Sequence, residues 1–486
     1  MTTWLALALA LAFAREGARP ITYQEALRAA VESNPTLAQA RAARQQAKGS
    51  VTAAQGQFDP TYSLTGNYRH STSQGFFQGF PFSSRSETWN LTNNLAGSLG
   101  TGTTYSLNAL MDRNKSTFVT QFVPGQPGTE QVQNVFTSNL NVSVTQQLLE
   151  GVLYRYNVQN VTKARQQLTT AELTEAKALQ DALYTAAEAY WGWVYAVELE
   201  RIADESVQVA EEALRVGRLQ VESGTLAPVE GTRLEAALVQ AQQAALDAHN
   251  TAEQAANTLL LAIGEAPDQA VVPATPAGDV PPDELEIAAA VEVALAQNVD
   301  LMVSRSNLEQ ARTSLANARH ALLPSLSATG SAGVAAQDDS VGTAISGLTD
   351  SDNQPFVSIA GQFSVPLGNR AARGARDTTL AQVSQREREL ENLERSVRAQ
   401  VEQQVRALTS ARRKMELADA NLRLAAQTLS AEEALAKAGR SIQRDVLDAR
   451  TKLDRAKADA AKARTDYRLA KAQLLRLQGQ LDRVAP

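Results

Sequence analysis

Two carboxylates three residues apart, Asp445 and Asp448, are the sharpest chemical feature of this chain. At i,i+3 on one helix they project from the same face, and they lie just past Gly439, where a tight turn is expected. Acids held side by side draw in cations and repel one another. The plainer reading is that acids near a helix start complement its dipole, worth about 0.3–1 kcal/mol. Little else here could do chemistry. The chain has no cysteine, which excludes a thiol nucleophile, a Cys-based zinc site, a disulfide framework and a lipid anchor on an N-terminal Cys. His70, His249 and His320 are far apart, lack metal-ligand spacing and read as plain surface or helix residues. With no Gly-rich phosphate loop and no metal-spaced cluster, we expect no enzyme, no cofactor and no metal. The net charge of −6 comes with basic residues spread among acidic ones, so no nucleic-acid footprint is present.

The elements that must position the two acids are written twice. Asn34-Pro-Thr-Leu37 and Pro60-Thr-Tyr-Ser-Leu-Thr-Gly66 lie over Asn298-Val-Asp-Leu301 and Pro324-Ser-Leu-Ser-Ala-Thr-Gly330 at a constant offset of 264. A second match, at an offset of 215, joins Gly224 to Gly439, Ala241 to Ala456, Ala248 to Ala463 and Gly264 to Gly479. Each copy reads helix, strands, long helix, tight tip, returning helix, which predicts a large, internally symmetric object. The expected division is a signal peptide at 1–14, a first repeat at 15–264, a linker at 265–285 and a second repeat at 286–486. The leader rests on the apolar run Leu5–Ala14 ending in Ala12-Phe13-Ala14, too short to span a bilayer core of about 30 Å as a helix. At this second offset Asp445 and Asp448 correspond to Glu230 and Arg233. Paired acids thus occur at one tip only, which a general helix-start preference does not predict.

Four segments alternate with a period of two: Thr61–His70, Asn139–Thr145, Ser325–Val334 and Val357–Val365. One face carries Tyr, Leu, Val, Ile and Phe, and the other uncharged Ser, Thr, Asn and Gln. A soluble sheet could alternate this way over a core. Strands of about 9–11 residues with an uncharged polar face also suit an oblique membrane crossing. Two to four strands cannot close a barrel, and open edges in lipid cost several kcal/mol per unpaired group. A membrane reading therefore requires several chains. From Glu150 to Glu222 there is no proline, and about 70 helical residues make a rod on the order of 100 Å. The returning helix, about Val229–Ile263, carries a heptad seam at Ala241, Ala245, Ala248, Ala252, Ala255 and Leu259. It is half as long as the outgoing helix, as is the opening helix, about Tyr23–Gln57, so two short helices stacked end to end match one long rod.

The chain resembles the TolC-like outer membrane efflux proteins. The resemblance rests on Glu25-Ala-Leu27 with Asn34-Pro-Thr-Leu37, Gln146-Gln-Leu-Leu-Glu-Gly151, Leu323-Pro-Ser-Leu326, Val365-Pro-Leu-Gly-Asn369 and Gly439-Arg-Ser-Ile-Gln-Arg-Asp-Val-Leu-Asp448. It implies a mixed α and β membrane protein: a homotrimer with a 12-stranded outer membrane barrel, four strands per protomer, continued by a coiled-coil helical tunnel in the periplasm. The tunnel tips would meet a periplasmic adaptor and an inner-membrane pump. The channel would be a passive exit duct for efflux or type I secretion. The resemblance also places Asp445 and Asp448 at the constriction of the closed tip. Where the family has a tyrosine and an arginine before the aspartates, this chain has Ala436 and Ser441. Arg440 and Arg444 lie nearby, either paired with Glu230 as a replacement lock or solvated. A further departure is a strand-like pair, Trp89–Leu99 and Thr103–Met111 around Gly100-Thr-Gly102, expected as a hairpin extending the barrel outside the cell, the alternative being insertion into the wall with a changed strand count. Phe76, Phe77, Phe80 and Phe82 are expected in an outer loop. The alternative class is a structural or adaptor coiled-coil protein of the periplasm, with strands in soluble domains. It predicts charged strand faces, which the four segments lack apart from Arg69. The pattern names no cargo.

Overall fold

Proline-free, alanine-rich stretches set the helices here, and two-residue alternation sets the strands. The structure is a computed structural model describing residues 18–484 except 78, 121–126, 268, 276–285, 351–352, 439 and 441–442. The expected leader, 1–14, lies outside the described residues. The strands are β1 (Arg19–Ile21), β2 (Thr61–Phe77), β3 (Phe80–Ser98), β4 (Thr103–Thr120), β5 (Thr129–Gln147), β6 (Val271–Pro273), β7 (Ser325–Asp338) and β8 (Gln354–Ser364). The first-half helices are α1 (Tyr23–Ser33), α2 (Pro35–Gln55), α3 (Tyr154–Asn157), α4 (Gln159–Glu222) and α5 (Pro228–Ala262). The second half adds α6 (Ile287–Gln297), α7 (Val299–His320), α8 (Val341–Ser346), α9 (Arg370–Lys437), α10 (Gln443–Leu477) and α11 (Leu481–Val484). The chain divides into two compact units, each drawing on both halves of the sequence.

The first unit comprises Met1–Gln45, Thr169–Asn307 and Glu387–Pro486. Its core gathers Tyr190, Trp191 and Trp193 of α4 with Leu259 and Leu260 of α5, Ile21 of β1 and Ala472 of α10. The seam predicted for α5 is buried at Ala245, Ala252 and Leu259, and its counterpart in α10 at Ala456, Ala460, Ala463, Tyr467 and Leu474. Small side chains here let helices pack closely. The expected linker is more than a tether, because its β6 pairs in parallel with β1. The Tyr190 hydroxyl donates to the Ile21 carbonyl at 3.2 Å and accepts from the Thr275 amide at 3.1 Å.

The opening helix predicted for each copy is broken at a capping asparagine. Asn34 ends α1, accepts on Oδ1 from the amides of Thr36 and Leu37, and donates from Nδ2 to the Ala262 carbonyl at 3.3 Å. Asn298 ends α6, accepts from the Leu301 amide, and donates to the Leu477 carbonyl at 2.9 Å. The glycines that follow α5 and α10 close the same joints. A Cβ on Gly264 (φ +77) would lie 2.3 Å from the Ser33 carbonyl oxygen, and one on Gly479 (φ +65) 2.4 Å from that of Gln297. Only glycine fits.

The second unit comprises Gln46–Leu168 and Leu308–Arg386 and holds one antiparallel sheet in the order β2-β3-β4-β5-β7-β8. This corrects the expected four strands per protomer. The segment around Gly100-Thr-Gly102 belongs to the sheet wall, where β3 pairs with β2 and β4, and β4 with β5. Those strands run to 17–19 residues rather than 9–11. The reason is register: Leu91, Leu95, Leu107 and Met111 fall on the face that Tyr62 and Val142 already occupy, so the hairpin completes that face. The phenylalanines are likewise in strands rather than an outer loop, since Phe76 and Phe77 end β2 and Phe80 and Phe82 open β3.

Candidate functional site

Alternation along the six strands builds two chemically distinct faces. One transverse row on the first face is Tyr62, Leu95, Leu107, Val142, Ala332 and Val357. The adjacent row on the opposite face is Thr61, Ala96, Ser106, Ser143, Ser331 and Ser358. Hydroxyls pair across this polar face, Thr145 with Thr329 at 2.9 Å and Ser331 with Ser358 at 2.7 Å. Toward the Thr61 end the apolar face is open: Tyr62 is 63% exposed, Val357 78% and Ile359 86%. Burying such side chains is worth about 1.5–3 kcal/mol each, so a contiguous uncovered band marks a surface made for an apolar partner. Away from the Thr61 end, polar groups bound this band. Tyr68 packs on Trp89 with ring centroids 4.6 Å apart, and the Arg113 guanidinium lies 5.5 Å from the centre of the Phe136 ring. Tyr68, Trp89, Arg113, Phe136 and Val341 help line a cavity of about 530 Å³ here.

The other end of the sheet is pinned by turns that only glycine fits. Gly102 (φ +78) closes β3 onto β4, and a Cβ there would lie 2.1 Å from the Gly151 carbonyl oxygen. The Asn157 amide donates to the carbonyls of Gly100 at 3.2 Å and Gly151 at 2.7 Å. His320 is less plain than its spacing suggests, since Nε2 accepts from the Gly151 amide at 3.2 Å and the ring packs on Tyr156.

The predicted acids sit on the first turns of α10. Asp445 is in the first turn, half exposed beside Arg444 at 3.7 Å, and Asp448 is exposed. Arg440 is exposed, and its amide donates to the Leu435 carbonyl at 2.9 Å. Glu230, in the first turn of α5, pairs with Arg233 of its own helix. Within one chain, therefore, neither Arg440 nor Arg444 is brought to Glu230. Gly439 lies outside the described residues. The other tip is ordered by Gly224 (φ +75) and by the hydroxyls of Ser223 and Thr225, both donating to the Gln220 carbonyl.

Two constellations escape sequence reading. Lys457 and Arg450 of α10 reach Glu205 of α4 at 2.7 and 3.1 Å, tying the outgoing helix of the first copy to the returning helix of the second. Hydrogen bonding to Lys457 leads the effects that hold the Glu205 carboxyl below its ordinary value. Arg468 places its guanidinium 4.0 Å over Trp191, and burial lowers its pKa. The run Tyr190-Trp-Gly-Trp193, in a chain only 5% aromatic, was the available signal for the second. Spacing alone offered none for the first. No group of His, Asp or Glu suited to a metal occurs among the described residues.

This geometry defines a class before it defines a protein: long paired helices built on twin joints, and a sheet with one open apolar face. Residues 290–480 match the family model described as outer membrane efflux protein, so the resemblance read in the sequence holds over that stretch. The fold of the chain is that of solved outer membrane channels. A membrane protein from Pseudomonas aeruginosa is similar with a TM-score of 0.65 at 15% identity, covering 94% of this chain and 90% of that one. The outer membrane protein VceC of Vibrio cholerae gives 0.64 at 14% identity, covering 94% and 96%. The MtrE outer membrane channel of Neisseria gonorrhoeae, in its open state, gives 0.62 at 19% identity, covering 96% and 90%. No curated protein sequence matches the chain.

Proposed function

We propose that this chain is the outer membrane channel of a tripartite efflux or type I secretion system, a passive trimeric duct. The observation that carries the reading is the exposed apolar row Tyr62, Leu95, Leu107, Val142, Ala332 and Val357 across all six strands, backed by the row Thr61, Ala96, Ser106, Ser143, Ser331 and Ser358. Lipid is the partner such a face fits, and water the partner of its reverse. A free edge cannot stand in lipid, so β2 and β8 must pair with other copies. No single helix among the described residues is long and apolar enough to cross a membrane.

In this reading the helices continue the duct into the periplasm, where their tips meet an adaptor and an inner-membrane pump that supplies the energy. The chain performs no bond chemistry. Its work is electrostatic and steric: three copies bring six carboxylates of Asp445 and Asp448 round the narrow end, where they favour cations and resist closure by repulsion. Glu230, Arg440 and Arg444 lock the tip between neighbouring chains, since they do not meet within one. Cell fractionation tests the assignment. The protein should appear in outer membranes and require detergent for extraction; release as a soluble periplasmic protein would overturn it.

A further inference from the structure

We infer that the closed barrel contains eighteen strands, six from each of three chains, with β8 of one copy sealed against β2 of the next. The inference rests on the trimeric channel reading above and sets the width of its wall.

Three observations carry it. First, β3 and β4 traverse the full height of the sheet. Their connecting turn, Gly100-Thr-Gly102, lies at the end where β2 starts and β5 stops, held there by Asn157. A hairpin projecting beyond the cell surface would have no reason to return to that end. Second, the inserted strands keep the faces in phase, with Leu95 and Leu107 in the apolar row and Asn94 and Asn108 behind them beside Asn141. Third, the sheet has an even number of strands, so β2 and β8 run in opposite directions and are ready for antiparallel pairing. Most of β2 and all of β8 are exposed on both faces, unlike the strands between them. Six strands closing on themselves would form a tube narrower than the eight-stranded barrels whose interiors side chains already fill. That would crush a face of Ser, Thr and Asn into a space without water.

At a strand spacing of about 4.8 Å and a tilt of about 40°, twelve strands give a backbone radius of roughly 12 Å and eighteen roughly 18 Å. The pore cross-section thus rises about twofold at the outer membrane, and the narrow point is left to the helical tips. The seam is short, because β8 has only 11 residues, whereas β2 to β5 have 17–19 and stand above it as a four-stranded flap.

Electron cryo-microscopy of the protein in lipid nanodiscs tests this directly. The expected image is a three-fold ring of eighteen strands. A three-fold ring of twelve, with residues 80–120 outside it, overturns the inference while leaving the channel reading intact. A particle with no ring removes both. Because the chain lacks cysteine, single Leu95→Cys, Leu107→Cys, Asn94→Cys and Asn108→Cys variants add a second measure in reconstituted vesicles. A water-soluble maleimide should label the leucine positions at least about tenfold more slowly than the asparagine positions, as lipid-facing and lumen-facing residues alternate. Equal, fast labelling at all four would place the hairpin in water and overturn the inference.

Discussion

In the first half of the chain, Asn34 breaks the opening helix and bonds the end of the returning helix at Ala262; in the second, Asn298 does the same at Leu477. Gly264 and Gly479 press on those joints from the other side with nearly equal clearances. The sheets are not alike. The first half supplies four strands, β2 to β5, and the second only β7 and β8. The contrast has a physical origin. The joint depends on an amide reach and a left-handed backbone that tolerate no other residue, so both copies retain it. A sheet can accept a whole hairpin, because two added antiparallel strands leave every other strand's direction and inward face unchanged. One added strand would invert everything beyond it.

The twin joints can be broken from either side. Gly264→Ala and Gly479→Ala each force a Cβ into a carbonyl at a positive φ, a loss on the order of 3 kcal/mol or more. Thermal melting in detergent should fall steeply and nearly equally for both. A large loss at one and none at the other would mean that the joints are not equivalent. Asn34→Ala and Asn298→Ala should cost less, about 1–2 kcal/mol. The greater loss is expected at Asn298, which is only 5% exposed.

At the tips the comparison becomes electrical. Asp445→Ala with Asp448→Ala should lower the cation-over-anion permeability ratio several-fold in bilayer recordings, because in the proposed trimer six like charges leave one constriction. Glu230→Ala with Arg233→Ala removes a neutral pair and should leave that ratio close to wild type. Arg440→Ala with Arg444→Ala should raise conductance through a less firmly closed tip. Unchanged currents in the aspartate and arginine variants would remove the gate assignment.

The smallest effect belongs to Glu205. Its carboxyl titrates below the ordinary value of 4.5, chiefly through its hydrogen bond to Lys457. A depressed carboxylate contributes stability above its unfolded pKa and loses it as the pH falls through the folded one. Glu205→Gln should therefore cost about 1 kcal/mol near neutrality. The gap from wild type should close as the pH is lowered below about 4.5, as read by melting midpoints across pH.

Much of this was legible in residues alone. Ala245, Ala252 and Leu259 of one heptad seam and Ala456, Ala460, Ala463, Tyr467 and Leu474 of the other are buried, because helix packing is written in local periodicity. The apolar face of β2, β5, β7 and β8 was equally plain. The place of the hairpin was not. Alternation identifies a strand but not its neighbours, and pairing over many residues depends on where Gly100-Thr-Gly102 turns and what Asn157 holds. The parallel pair β1 and β6 was hidden for a simpler reason, since three residues per strand carry no period. Long-range ion pairs such as Glu205 with Lys457 join positions more than 250 apart and leave no local trace. The acids of the tip were visible, but the meeting across chains proposed for them lies beyond one copy.

The most direct test reconstitutes the detergent-purified protein into planar bilayers and weighs the same preparation by light scattering. A particle of three chains giving discrete, ion-conducting steps is the predicted result. A single chain, stable in water without detergent and silent in the bilayer, would contradict the account.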